Sequence, residues 1–195
     1  MKEYTDEYVL TGLLKELVNS KELCAVYSDS VRTTKFCVGH ILGIDDEFYL
    51  IERVDPFGLQ DGLGCSRIGE IIKVERDNVY LKNLAKLIHY HKQKAIPKIS
   101  CGDDMKLSLI DYAQKHKKVC EFELCESDNK DIIGFVKSYK DGLLTVQTLT
   151  ETGDEDGESC IPMEAIDVIV CNSVDENKIE ILHKLQAQTS KREAK

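Results

Sequence analysis

The sequence predicts a mainly β protein with helices: a tandem duplication of a small, five-stranded, bent-sheet barrel, each copy flanked by an N-terminal and a C-terminal helix. Three observations carry this. A chain of 195 residues suits one large domain or two small ones. A shift of 95 residues lays the sequence on itself without a gap, Gly39 on Gly134, Asp46 on Asp141, Gly58 on Gly153, Asp61-Gly62 on Asp156-Gly157, Cys65 on Cys160 and Ile71 on Ile166. Each copy holds five short apolar stretches, separated by Gly and Asp turns, too few for a sandwich and suited to closure as a barrel.

The first element is a helix over Tyr4–Asn19, with Val9, Leu10, Leu13, Leu14, Leu17 and Val18 on one face and Thr5 or Asp6 as its cap. Its counterpart is Asp104–His116, with Leu107, Ile110 and Ala113. A shift of 96 then aligns Leu23-Cys24 with Val119-Cys120, a one-residue change in the turn between. In the second copy the strands are Val119–Leu124, Ile132–Tyr139, Leu143–Thr150, Ser159–Pro162 and Ala165–Cys171. Turns fall at Ser127-Asp128-Asn129, Lys140-Asp141-Gly142 and Thr152–Glu158. Each copy closes with a helix, Val79–Lys92 and Asp175–Gln188. The domains are therefore 1–95 and 104–188, with a linker at 96–103 and a frayed tail at 189–195.

Composition narrows the class. With 42% hydrophobic and 31% charged residues there is enough apolar material to offset ordering entropy, so wholesale disorder is excluded. No apolar run reaches membrane-spanning length, and MKEYTDEY is too polar for a signal peptide, so a cytoplasmic protein without membrane contact is expected. The eight cysteines contain no CxxC pair, which argues for reduced, buried thiols over a zinc site. The acidic turn Gly153–Glu158 resembles a calcium loop, but Ala165 stands where the bidentate Glu would be needed. No nucleophile–base motif or phosphate-cradling Gly loop appears, and filled small barrels offer little concave volume. No enzyme activity, no cofactor and no metal are expected.

The net charge of −9 is unevenly spread: residues 1–100 carry −1 and residues 101–195 carry −8. One stretch runs against the trend, with Lys82, Lys86, Lys92, Lys94 and Lys98 accumulating between Asp77 and Asp103. A basic stretch of this kind reads as a solvated helix face with a linker, as a nucleic-acid contact, or as a connector that docks against the acidic turn 153–158.

The patterns Val38-Gly39-x-Ile41-x-x-Ile44-x-Asp46-x-Phe48 and Ile133-Gly134-x-Val136-x-x-Tyr139-x-Asp141-x-Leu143 resemble the Sm/LSm family, an SH3-type small barrel. The Gly lets a strand bend sharply and the Asp opens the next turn. The resemblance covers residues 4–75 and 104–171. It implies self-association through barrel edge strands, and RNA as a partner. Sm-type proteins carry a base-reading Asn where this chain has Tyr49 and Leu144, and a basic second motif where it has Arg67-Ile68-Gly69 and Pro162-Met163-Glu164. The second copy thus lacks both polar readers. The expected function is a non-catalytic binding or scaffold protein on two tandem Sm-like barrels. The alternative is an RNA-binding protein using copy one and the basic helix 79–98, with Phe48, Tyr49, Arg67, Lys82, Lys86, Lys92 and Lys94 as contacts.

Overall fold

A computed structural model describes residues 6–28, 36–93, 97–125 and 132–193. Tyr4, Thr5, Lys94 and the turn Ser127-Asp128-Asn129 lie outside these, as does the Val9 side chain. The chain is mainly β with helices. It divides into two compact units, residues 1–108 and 109–195, the division falling within the third helix.

In the first unit α1 (Asp6–Ser20) precedes β1 (Leu23–Tyr27), β2 (Cys37–Ile44), β3 (Phe48–Val54), β4 (Gln60–Arg67), β5 (Lys73–Arg76) and α2 (Val79–His91). Helix α3 (Met105–His116) precedes β6 (Val119–Leu124), β7 (Ile132–Lys140), β8 (Leu143–Leu149), β9 (Glu155–Pro162), β10 (Ile166–Cys171) and α4 (Val174–Glu193). A single 3-10 turn joins β4 to β5, and another joins β9 to β10. Among the described residues no helix is long and apolar enough to cross a membrane.

The strands of the two units follow the same order, β5-β1-β2-β3-β4 and β10-β6-β7-β8-β9, every neighbouring pair antiparallel. Register shifts also coincide. They fall at Ile41/Gly43 and Val136/Ser138, and again at Glu52/Val54 and Gln147/Leu149. Bulges add local twist, so a short sheet bends at two defined places. Spacing predicted a closed barrel; the pairing leaves β4 and β5 as outer strands of one unit and β9 and β10 as outer strands of the other.

The bend glycines sit where the sequence placed them. A Cβ on Gly39 would lie 2.0 Å from the Glu52 carbonyl oxygen, and one on Gly134 would lie 2.0 Å from that of Gln147. No side chain fits between strands that approach this closely. The β3–β4 and β8–β9 turns are twins as well. Asp55 Oδ1 accepts from Phe57 N and Leu59 N at 2.9 and 2.8 Å, while Thr150 Oγ1 accepts from Asp154 N at 3.1 Å. Gly58 (φ 82°) and Gly153 (φ 89°) let these turns press on α2 and α4, where a Cβ would come within 2.6 and 2.5 Å of Leu87 Cβ and His183 N.

Period-two alternation splits the first unit's core between two faces of its sheet. Cys24, Val26, Ile41, Tyr49 and Ile51 pack with Leu14 and Leu17 of α1. Leu23, Ala25, Tyr27 and Val38 pack with Leu81 and Leu84 of α2. In the second unit Val119 and Leu149 pack with Ile179 of α4. Leu14 and Leu17 are fully buried, each stabilising by roughly 1.5–3 kcal/mol relative to exposure.

Two boundaries differ from the sequence reading by more than two residues. Strand β9 begins at Glu155, inside the predicted turn Thr152–Glu158, because Glu155 pairs with Leu149 and Glu158 with Gln147 along β8. Glu155 and Asp156 are exposed there, and Glu158 pairs with Lys137 of β7. Helix α4 continues to Glu193, through the predicted frayed tail, since no Gly or Pro interrupts it and Thr189 Oγ1 donates to Leu185 O at 3.1 Å.

Candidate functional site

The Asp that organises the β2–β3 turn is Asp45, beside the predicted Asp46. Its Oδ1 accepts from Glu47 N at 2.8 Å and Phe48 N at 2.6 Å, and its Oδ2 accepts from Met105 N at 2.8 Å. Asp104 caps the start of α3 by accepting from Leu107 N at 2.8 Å. The start of α3 is thereby tied to the β2–β3 turn. Lys106 Nζ stands 4.3 Å from the Phe48 ring centroid and the Arg67 guanidinium 4.9 Å. Phe48 is buried, so two cations of the chain itself occupy the ring that base stacking would use. Arg67 Nη1 donates to Glu47 Oε2 at 3.4 Å.

Tyr49 is also buried, in the α1-facing core, where its hydroxyl bonds Ser66 and desolvation pushes it well above the ordinary tyrosine range. Of the predicted lysines, Lys82 pairs with Asp77 at 2.9 Å and Lys86 donates to Asn83 Oδ1 at 3.1 Å. Lys92 ends α2 in the left-handed conformation, φ 48°.

The cysteines are thiols, and among the described residues no group of three or more His, Cys, Asp or Glu is placed to hold a metal. Burial pushes Cys24 up to about 12 and Cys65 well up, and the hydrogen bond with Cys171 together with burial pushes Cys120 well up. Alkylation requires the thiolate. At pH 8 Cys24 therefore presents about a thousandth of an ordinary thiol's thiolate. Iodoacetamide on the native protein, followed by peptide mass mapping, should label exposed Cys160 and leave Cys24, Cys65, Cys120 and Cys171 until denaturant is added. Early labelling of Cys24 would contradict this packing.

Two concavities in the first unit bring other residues together. One, of about 380 Å³, lies between β2–β3 and the C-terminal end of α2, with Lys92 and His89 at its rim. The other, of about 500 Å³, lies between the end of α1, β2 and residues 97–101, with Lys21 and Lys98. His40 and Glu52 line both. They are direct cross-strand partners, so their side chains share one face of the sheet. Glu52 Oε1 accepts from Gln60 Nε2 at 2.5 Å. His40 Nδ1 lies 3.0 Å from Lys21 O; a carbonyl only accepts, so Nδ1 carries the proton and Nε2 the lone pair. Sequence reasoning did not single out His40 with Glu52, because nothing in a strand reveals its partner's register. A third concavity, of about 310 Å³, occupies the matching place in the second unit, where Phe135 stands for His40 and Lys117 for Lys21.

With this geometry in hand, the chain was compared with known proteins. No protein-family model, curated protein or solved structure matches it.

Proposed function

We propose that the chain is a non-catalytic binding or scaffold protein made of two tandem Sm-like units that associate with further copies through their edge strands. The observation that carries this reading is the repetition itself, the same strand order, the same two bulges and a bend glycine at 2.0 Å from the facing carbonyl in both units. An outer strand presents backbone N–H and C=O groups that seek a partner. Strand β5 bears exposed Lys73 and Arg76, which pair with Glu75 and Glu16 of the same unit, whereas β9 bears exposed Glu155, Asp156 and Glu158, the last paired with Lys137. A head-to-tail contact between copies exchanges these partners for the acidic side chains of β9, and it closes as a ring or extends as a fibre.

Sedimentation equilibrium should give a mass above the 22.1 kDa protomer. High salt and the double variant Glu155→Lys, Asp156→Lys should lower it toward that value. A protomer mass at every concentration would refute the association.

A second reading, RNA binding through the first unit, is favoured by the exposed lysines of α2. It requires retarded mobility of U- or A-rich oligonucleotides at low salt, abolished by Arg67→Glu. Electrostatic affinity is greatest at low salt, so absence of retardation there rejects it.

A further inference from the structure

We infer that the first unit binds one small phosphate-bearing ligand, of nucleoside monophosphate size, across the two concavities that meet at His40 and Glu52. The inference rests on the binding-module reading and adds the ligand class and its site. At about 380 and 500 Å³ both concavities have the dimensions of small-ligand sites.

Charge selects the ligand's anionic end. Lys92 and His89 rim one concavity, Lys21 and Lys98 the other, and among the described residues Glu52 is the only carboxylate lining either. Among the described residues Lys21, Lys92 and Lys98 make no ion pair within the chain. Three cations held at a concave rim in a protein of net charge −9 form a local reversal of sign, suited to a compact anion.

The centre selects the rest. His40 donates through Nδ1 to Lys21 O, which leaves Nε2 as an acceptor. Glu52 gives one oxygen to Gln60 and keeps the other for a ligand donor. Two acceptors side by side, flanked by cations, match a molecule with hydroxyl or N–H donors next to a phosphate. Ile41, Leu42 and Ile99 on one side, with Val54 and Ile88 on the other, supply apolar surface for a flat ring. A nucleoside monophosphate combines donors, ring and phosphate in one compact molecule.

The second unit shows what the site needs. Its concavity is smaller, Phe135 replaces His40, and Lys118 and Lys184 are both tied to Glu180. The central acceptor is gone and two of the cations are neutralised. One ligand per chain follows.

Calorimetric titration of the intact chain with AMP, GMP, CMP and UMP tests this, with inorganic phosphate, adenosine and a single-stranded oligonucleotide as further arms. At least one monophosphate should bind at one per chain. Lys92→Glu and Lys98→Glu should each weaken it about tenfold or more, as loss of a charge-assisted hydrogen bond does. Lys115→Glu, on α3, should leave it unchanged. Glu52→Gln should weaken the monophosphate while sparing inorganic phosphate. The inference is overturned if no monophosphate binds at millimolar concentration, if phosphate alone binds as tightly, if two ligands bind, or if Lys92→Glu and Lys98→Glu have no effect. Binding of the oligonucleotide without any monophosphate also overturns it. Sedimentation of the same samples separates the two readings: an associated chain without ligand sinks this inference alone, and a ligand-binding protomer sinks the edge-strand association alone.

Discussion

Replacing Gly39 by alanine should destabilise the protein by about 3 kcal/mol or more, a large share of a typical domain's roughly 5–15 kcal/mol. Two effects compete. Glycine in a strand carries an entropic penalty, so alanine would ordinarily gain about 0.5–1 kcal/mol. At Gly39, however, the added methyl would lie 2.0 Å from the Glu52 carbonyl oxygen and 2.8 Å from Ile51 Cγ1. The first of these is backbone of the facing strand, paired through Gly39↔Arg53 and His40↔Glu52, and cannot swing aside. Relief requires β2 and β3 to separate at the bend, so the clash wins. Gly12→Ala gives the opposite sign, because on α1 nothing lies within 4 Å of the new atom and helix propensity gains about 1 kcal/mol. Urea unfolding of the two variants checks both. A Gly39→Ala midpoint equal to that of the parent would mean that the strands do not approach as closely as described.

The bend glycine was legible in the sequence because its cause is local and because it occurs twice in register. So was the turn at Asp141-Gly142, where both residues take positive φ. What stayed hidden depends on residues far apart in the chain. Phe48 reads as a stacking ring until Lys106 is found over it. Asp45 and Asp46 are adjacent and chemically equal; the turn amides of Glu47 and Phe48 and the distant helix N–H of Met105 distinguish them. The start of β9 was read as a turn because Gly, Asp and Glu dominate it, yet a strand forms there because β8 offers paired backbone groups as far as Leu149. Local preference gave way to register. The candidate ligand site is the extreme case, assembled from α1, β2, β3, α2 and the segment at 97–101, with no two of its key residues in a motif.

The same long-range logic predicts the largest single loss in the second unit. Phe122→Ala should cost about 3–5 kcal/mol. Phe122 is fully buried at the centre of β6, opposite Ile169 of β10, and two residues from Cys120, which faces Cys171. Alternation places Phe122 and Cys120 on one face, and Ile169 and Cys171 are likewise fully buried. The position matches Val26 of the first unit, so this site has grown from three side-chain carbons to a ring, and the packing around it has been fitted to that ring. Truncation removes the transfer free energy of the ring and leaves a void that β-sheet neighbours, fixed by backbone pairing on both edges of β6, cannot close. Phe122→Leu keeps most of the volume and should lose only about 1 kcal/mol. The ratio between the two variants in denaturant unfolding is the test. If alanine and leucine cost the same, the loss comes from strand propensity, and Phe122 is not the packed centre that its burial indicates.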